Sequence, residues 1–328
     1  MSWFVVDSSR SYTDSGGGNG NVGPLAFNEN YVATNASTDG GFVGFENNGF
    51  KLGKGSSTSD AAAPYQRNNA SGNSYQAMMW KAGDSYSTNN DGSIAASVSA
   101  NPEAGFSICN YTSTTGTVGH GLNSAPKMII MKSISDSADQ WTVGHYHLSY
   151  HATNGEADSW DYGVPLNSGA ARQDNAAFWN DTAPTSTVFP QGSWNNGYQK
   201  VAYCWAEVPG YSQFGQYRGN SSTDGRFVYC GFRPSFVMIR EFVSGDNWTI
   251  AYSGNYNPHT PKLVPNQAYA GSVASSQYLD FYCDGFKWRG TDSGVNASDK
   301  QYIYAAFAGY TGFSPYASEI PAGDYRRV

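Results

Sequence analysis

The sequence is poor in charge and in the strongest helix formers. Charged residues fill 14% of its 328 positions, against about 25% in an average soluble domain. Leu and Glu occur seven times each. Helical bundles and coiled coils draw on Ala, Leu, Glu and Lys, so this scarcity argues against both. No stretch of about 18 apolar residues occurs, which excludes a membrane-spanning helix of the usual kind. Lys and Arg do not cluster except at Arg326-Arg327, and the net charge is −7. The electrostatic footprint of a nucleic-acid binder is therefore missing. The segment Met1–Asp7 has no basic region and a four-residue apolar run, unlike a signal peptide. The four cysteines, at 109, 204, 230 and 283, match no zinc-ribbon or CxxC spacing. Whether they pair is open; Cys204, inside an apolar run, reads as a small buried hydrophobe. No GxSxG, phosphate-binding loop or dinucleotide fingerprint is present, and no cofactor is expected.

What the chain does contain is aromatic and turn-forming residues. Aromatics reach 15%, with 24 Tyr and 9 Trp, and Gly supplies 38 positions. A hydrophobic content of 39% can bury a core, so the chain is not of the disordered class. Apolar runs separated by Gly, Asn, Asp and Ser point to an all-β protein with many short strands.

Self-comparison organises these strands. Ala125-Pro126-Lys127-Met128-Ile129-Ile130-Met131 and, further on, Asp139-Gln140-Trp141-Thr142-Val143 recur as Arg233-Pro234-Ser235-Phe236-Val237-Met238-Ile239 and Asp246-Asn247-Trp248-Thr249-Ile250. Pro126 to Pro234 is 108 residues, and Trp141 to Trp248 is 107. Each unit closes on a strand, Lys200–Ala206 in one and Tyr302–Ala308 in the other. In the first of these Val201, Tyr203 and Trp205 alternate with Ala202, Cys204 and Ala206, which puts large residues on one face and small ones on the other. A third, partial copy precedes them. Trp3–Asp7 stands where the Trp141 and Trp248 strands stand, Asn48-Gly49-Phe50-Lys51 matches Asp284-Gly285-Phe286-Lys287, and Tyr75–Ala82 matches the closing strands.

The expected architecture is tandem antiparallel β-sandwich units, jelly-roll-like, divided as 1–100, 101–213 and 214–328. The polar stretches 84–103 and 208–225 read as linkers. The first unit begins late, with no counterpart of the Pro-containing strand before Trp3. The chain can be part of a longer protein, the unit can fold without those strands, or another chain can supply them. On the last reading Trp3, Phe4, Val5 and Val6 form an assembly edge open to strand addition.

Three constellations are candidates for chemistry. His145 and His147 alternate along a strand and can face one metal ion, with His151 four residues on. Glu156, Asp158 and Asp161 cluster with Trp160 and Tyr162, as the carboxylates of a glycosidase would. Trp80, Trp141, Trp205 and Trp248 sit at repeat-equivalent positions and belong in the core. Trp160 and Trp179 lie outside the shared pattern and, with Tyr162, are expected at the surface as ligand-binding residues.

Several motifs together carry a family resemblance. Gly105-Phe106-Ser107-Ile108, Gly119-His120-Gly121-Leu122, Ala125–Ile130 and Val201–Glu207 resemble a repeated domain of marine and cyanobacterial phage tail-fibre-like proteins. Asp7-Ser8-Ser9-Arg10, Trp80-Lys81-Ala82-Gly83 and Asn89–Ile94 resemble it as well. The likeness runs from Trp3 to about Phe313. It implies a virion structural protein of tail-fibre or receptor-binding type, non-enzymatic, assembled in the host cytoplasm and carried on the particle surface. It also implies oligomers of this chain, a trimer being common in fibres, contacts with other virion proteins and a host-surface glycan as ligand. A capsid decoration or filament subunit completed by inter-chain strands is the alternative, and a polysaccharide depolymerase the lesser one.

Overall fold

The computed structural model describes residues 4–9, 25–26, 40–46, 49–54, 77–135, 139–149, 159–253, 261–267, 272–273 and 278–309. Their regular secondary structure is almost all strand. The N-terminal part holds β1 (Phe4–Val5), β2 (Leu25–Ala26), β3 (Gly40–Glu46) and β4 (Gly49–Lys54). Next come β5 (Ser87–Asn89), β6 (Ala96–Asn101), β7 (Phe106–Thr112), β8 (Gly116–Gly119), β9 (Met128–Ser133) and β10 (Thr142–His145). A 3-10 turn (Ser159–Asp161) leads to β11 (Tyr162–Pro165) and β12 (Gln173–Asp174). The helical turn α1 (Ala176–Trp179), β13 (Val188–Gln191) and β14 (Gln199–Trp205) complete this repeat. The second repeat has β15 (Ser212–Arg218), β16 (Phe227–Tyr229), β17 (Pro234–Glu241), β18 (Thr249–Tyr252) and β19 (Pro261–Lys262). It ends with β20 (Ser272–Val273), β21 (Leu279–Phe281), β22 (Gly285–Trp288) and β23 (Gln301–Ala308).

Two antiparallel sheets form the middle of the molecule. One has eight strands in the order β12-β11-β10-β9-β14-β7-β6-β5, the other four in the order β15-β23-β17-β18. The segment β10-β9-β14-β7 has the same neighbours as β18-β17-β23-β15, so the sequence repeat is a structural repeat. Small details recur with it. The Trp141 amide donates to Asn167 Oδ1 at 3.2 Å, and the Trp248 amide to Asn266 Oδ1 at 3.0 Å. Gly121 and Gly231 both take positive φ, +69° and +75°, where a side chain would be strained. Lys132 and Arg240, 108 residues apart, are both fully buried cations anchored to carbonyls: Lys132 Nζ to Asp139 O at 2.6 Å, Arg240 Nη1 to Ser168 O at 2.9 Å.

The alternation read along β14 decides how these sheets pack. Val201, Tyr203 and Trp205 enter one core, and Ala202 and Cys204 enter another on the opposite face. In β23, Ile303, Ala305 and Phe307 join the same core as Tyr203, while Tyr302, Tyr304 and Ala306 face a third. The two repeats are therefore packed face to face across one shared core, and each carries a further core on its outer side. The ribbon β8–β13 with α1 covers the first outer core, and the sheet β16-β22-β21 covers the second. Trp141, Trp205 and Trp248 are buried in the shared core as expected. Trp80 is half-buried against Trp205, Phe236 and Phe307, at 5.5–5.9 Å between centroids. Residues of both repeats thus share one contiguous core, and the repeats form one folded body.

Neither expected linker is one. Residues 84–103 form β5 and β6, which extend the first repeat's sheet beyond β7 and carry it across the expected boundary at residue 100. The strand was hidden because its inward positions need only Ala96 and Val98, while Ser97, Ser99 and Ala100 have little strand propensity. Stretch 208–225 contains β15, so the expected boundary at 213 falls inside a strand.

Candidate functional site

The Trp pair expected at the surface is buried. Trp160 is 3% and Trp179 0% exposed, and their rings meet edge to face at 5.4 Å. Trp179 Nε1 donates to the Tyr162 carbonyl at 3.1 Å. Asn175 caps the turn that presents Trp179, its Oδ1 accepting from the Ala177 amide at 3.0 Å. Room for the pair comes from Gly144, where an added Cβ would lie 2.5 Å from Trp160 and 2.7 Å from Trp179. The insertion folds back over an otherwise open sheet face and supplies its own plug. Tyr162 is half-buried, with the Arg172 guanidinium 4.0 Å above its ring. Of the acidic loop, Glu156 and Asp158 lie outside the described residues, and the Asp161 carbonyl accepts from the Asn175 amide at 2.9 Å.

His145 does not build a metal site with His147. Strand β10 ends at His145, so the alternation that would align the two stops there. His145 is buried between the repeats. Its Nε2 lies 3.2 Å from the Tyr304 carbonyl, which can only accept, so this nitrogen carries the proton; Nδ1 accepts from the His147 amide at 3.2 Å. Burial pushes its pKa down to about 3, the nearby His147 and Lys127 acting in the same direction. Both ring nitrogens are committed to the protein. Among the described residues no group of three or more His, Cys, Asp or Glu is placed to hold a metal ion. His151 lies outside them.

Of the proposed assembly edge, Trp3 lies outside the described residues. Phe4 and Val5 pair with Ala26 and Leu25 of the same chain. Val5 packs on the shared core, Val6 is half-buried, and Asp7 Oδ2 accepts from the Tyr203 hydroxyl at 2.6 Å. One edge of β1 is thus closed by its own chain. All four cysteines are free, and burial raises the Cys204 thiol well above its ordinary range, with Cys109 beside it. Among the described residues no helix is long and apolar enough to cross a membrane.

The exposed chemistry lies elsewhere, on the outer face of β16-β22-β21. Val228 points into the third core, so its neighbours Phe227 and Tyr229 point out, 45% and 63% exposed. Tyr282 packs edge-on against Phe227 at 5.5 Å. An ion network flanks these rings. Asp224 binds Lys287 at 2.5 Å and Arg289 at 3.0 Å, and Arg289 Nε binds Asp280 at 2.6 Å. The Lys287 hydrogen bond and charge hold the Asp224 carboxyl below its usual range, and the Asp280 hydrogen bond raises Arg289. Arg289 Nη2 donates to the Tyr282 hydroxyl, which donates in turn to Asp280 Oδ2. The result is an exposed aromatic strip bordered by hydrogen-bonded donors and acceptors. Reading the sequence for clusters of charge missed it. The signal is the repeat itself: where the second unit has Phe227 and Tyr229, the first has Thr117 and Gly119.

Comparison with known proteins bears on this arrangement at one point. The model of a family described as "Domain of unknown function (DUF7483)" matches residues 3–310. The chain belongs to this family. Neither the curated proteins nor the solved structures contain a match to it. The DUF7483 match spans both repeats and the partial unit before them, including the buried Trp160–Trp179 plug and the exposed β16 strip.

Proposed function

We propose that this chain is a non-enzymatic phage structural protein of tail-fibre or receptor-binding type, and that it adheres to host-surface glycan through the outer face of β16-β22-β21. The observation that carries the reading is the pairing of Phe227 and Tyr229, exposed on adjacent outward positions, with the Asp224–Lys287–Arg289–Asp280 network beside them. An exposed apolar surface rimmed by polar groups marks a binding site. Flat rings cover the C–H face of a sugar at low entropy cost, and the charged rim can bond its hydroxyl groups. The resemblance to phage fibre repeats supplies the biological setting.

The test is binding of labelled protein to a glycan array and to host cells, with Tyr229→Ala and Phe227→Ala beside the wild type. Loss of binding at unchanged melting temperature supports the reading; binding that survives both substitutions removes it. A second reading, a capsid decoration or filament subunit, is favoured by the hairpin β3–β4. It pairs Phe45 with Phe50 as β21–β22 pairs Phe281 with Phe286, yet Phe45 is 47% exposed whereas Phe281 is buried.

A further inference from the structure

We propose that the cleft between β15 and β16 is a strand-acceptor site, which takes an extended segment of a different protein bearing small or β-branched apolar side chains at alternate positions. The cleft borders the glycan strip at Phe227 and Tyr229, but the inference rests on backbone edges and not on the glycan reading.

The first repeat shows what fits such a cleft. Its counterparts of β15 and β16 are β7 and β8, and the gap beside them is filled by the chain's own segment 92–101. There the Ile94 amide donates to the Thr117 carbonyl of β8 at 2.9 Å, and Ser93 and Thr117 exchange amide-to-hydroxyl bonds at 3.0 and 2.9 Å. The segment then runs onto β7 as β6, pairing Ser97 with Asn110 and Ser99 with Ile108. Ile94, Ala96 and Val98 are buried in the first outer core.

In the second repeat no described strand fills the same place. The connection that brings the filling segment to β7 runs from residue 81 to 105, whereas β14 reaches β15 through residues 206–211 alone. That is too short to lay down a strand. What remains is a cleft of about 470 Å³ lined by Gln216, Tyr217, Arg218, Arg226, Phe227, Val228, Tyr229 and Tyr304. Its walls are sheet edges, since β15 and β16 each end their sheets among the described residues. The Phe214 amide and carbonyl turn outward, to the Glu207 carboxylate at 3.4 Å and from the Tyr146 hydroxyl at 2.8 Å. Antiparallel strands alternate inward and outward pairs, so the backbone of Gln216 turns the same way, into the cleft. Phe227 stands at the position of Thr117 and offers the matching carbonyl. An edge strand with unmet backbone groups is a template for strand addition. The apolar floor of Tyr217, Val228 and Tyr304 takes the place of the surface that receives Ile94, Ala96 and Val98.

The probe is a synthetic peptide with the sequence of residues 89–101, titrated into the full chain and followed by fluorescence anisotropy and amide hydrogen exchange. The expected result is saturable binding with new protection of the Gln216 amide. Replacing the Ile94, Ala96 and Val98 positions of the peptide by Asp is expected to weaken binding about ten-fold or more, as buried charge replaces apolar contact. Gln216→Pro in the protein, tolerated on an edge strand, removes the outward amide and is expected to abolish binding. Absence of saturable binding, equal binding of the Asp-substituted peptide, or no change in Gln216 protection overturns the proposal; the last two need no variant protein. A dimer of the wild-type chain that Gln216→Pro dissociates would place a second copy in the cleft and overturn the assignment of a foreign strand.

Discussion

Acid weakens this fold through His145, and the size of the effect follows from where the ring sits. Folded, His145 donates to Tyr304 across the junction of the repeats and stays neutral down to about pH 3. Unfolded, an imidazole titrates near pH 6.5. Above that pH both states are neutral and the residue contributes no pH dependence. Between about 6.5 and 3 the unfolded chain binds a proton that the folded chain does not, so stability falls as pH falls. The slope reaches about 1.4 kcal/mol per pH unit per proton and, the unfolded imidazole being half protonated at pH 6.5, amounts to roughly 2 kcal/mol between pH 6.5 and 4.5. His120 is shifted the same way by burial and adds to the wild-type slope. His145→Gln keeps an amide donor for the Tyr304 carbonyl but cannot titrate. Urea unfolding at pH 7, 6, 5 and 4.5 is the assay. The variant is predicted to lose about one proton's worth of slope. Parallel stability-against-pH curves for variant and wild type would refute the placement of a neutral, buried His145 between the repeats.

Two further perturbations test the packing. Gly144→Ala puts a methyl group into the Trp160 and Trp179 rings and is predicted to cost about 1–3 kcal/mol, measured by denaturant unfolding; a neutral result would mean the Trp plug is not where it is described. Arg240→Met removes the donors to the Ser168 and Ala170 carbonyls of the other repeat and is predicted to cost about 2–4 kcal/mol, with both repeats still melting in one transition by calorimetry.

Much of this fold is legible in the sequence where one unit repeats another. The alternation of Val201, Tyr203 and Trp205 with Ala202 and Cys204 foretells a strand buried on both faces, and the burial of Trp141 and Trp248 follows from their shared register. Repeat comparison fails where a residue has no counterpart. Trp160 and Trp179 have no counterpart and so read as surface residues, yet an inserted segment that crosses a bare sheet face must carry its own core residues. Composition fails for β6, whose Ala and Ser positions suffice because a neighbouring strand supplies the ladder. The His145–His147 pairing fails for a tertiary reason: the Tyr304 carbonyl that claims His145 is 159 residues away. The β16 strip was within reach. Aligning the units shows Phe227 and Tyr229 where the first repeat keeps Thr117 and Gly119, which its own Ser93 and Asn89 cover.

The most direct test of the account is the affinity of the chain for host-cell polysaccharide, measured by titration for the wild type and for Tyr229→Ala. Tyr229 is 63% exposed, so its removal is predicted to leave the melting temperature unchanged. It is predicted to weaken binding about ten-fold, the equivalent of roughly 1.4 kcal/mol of ring contact. Equal affinity of the two proteins would contradict a glycan site on the outer face of β16-β22-β21.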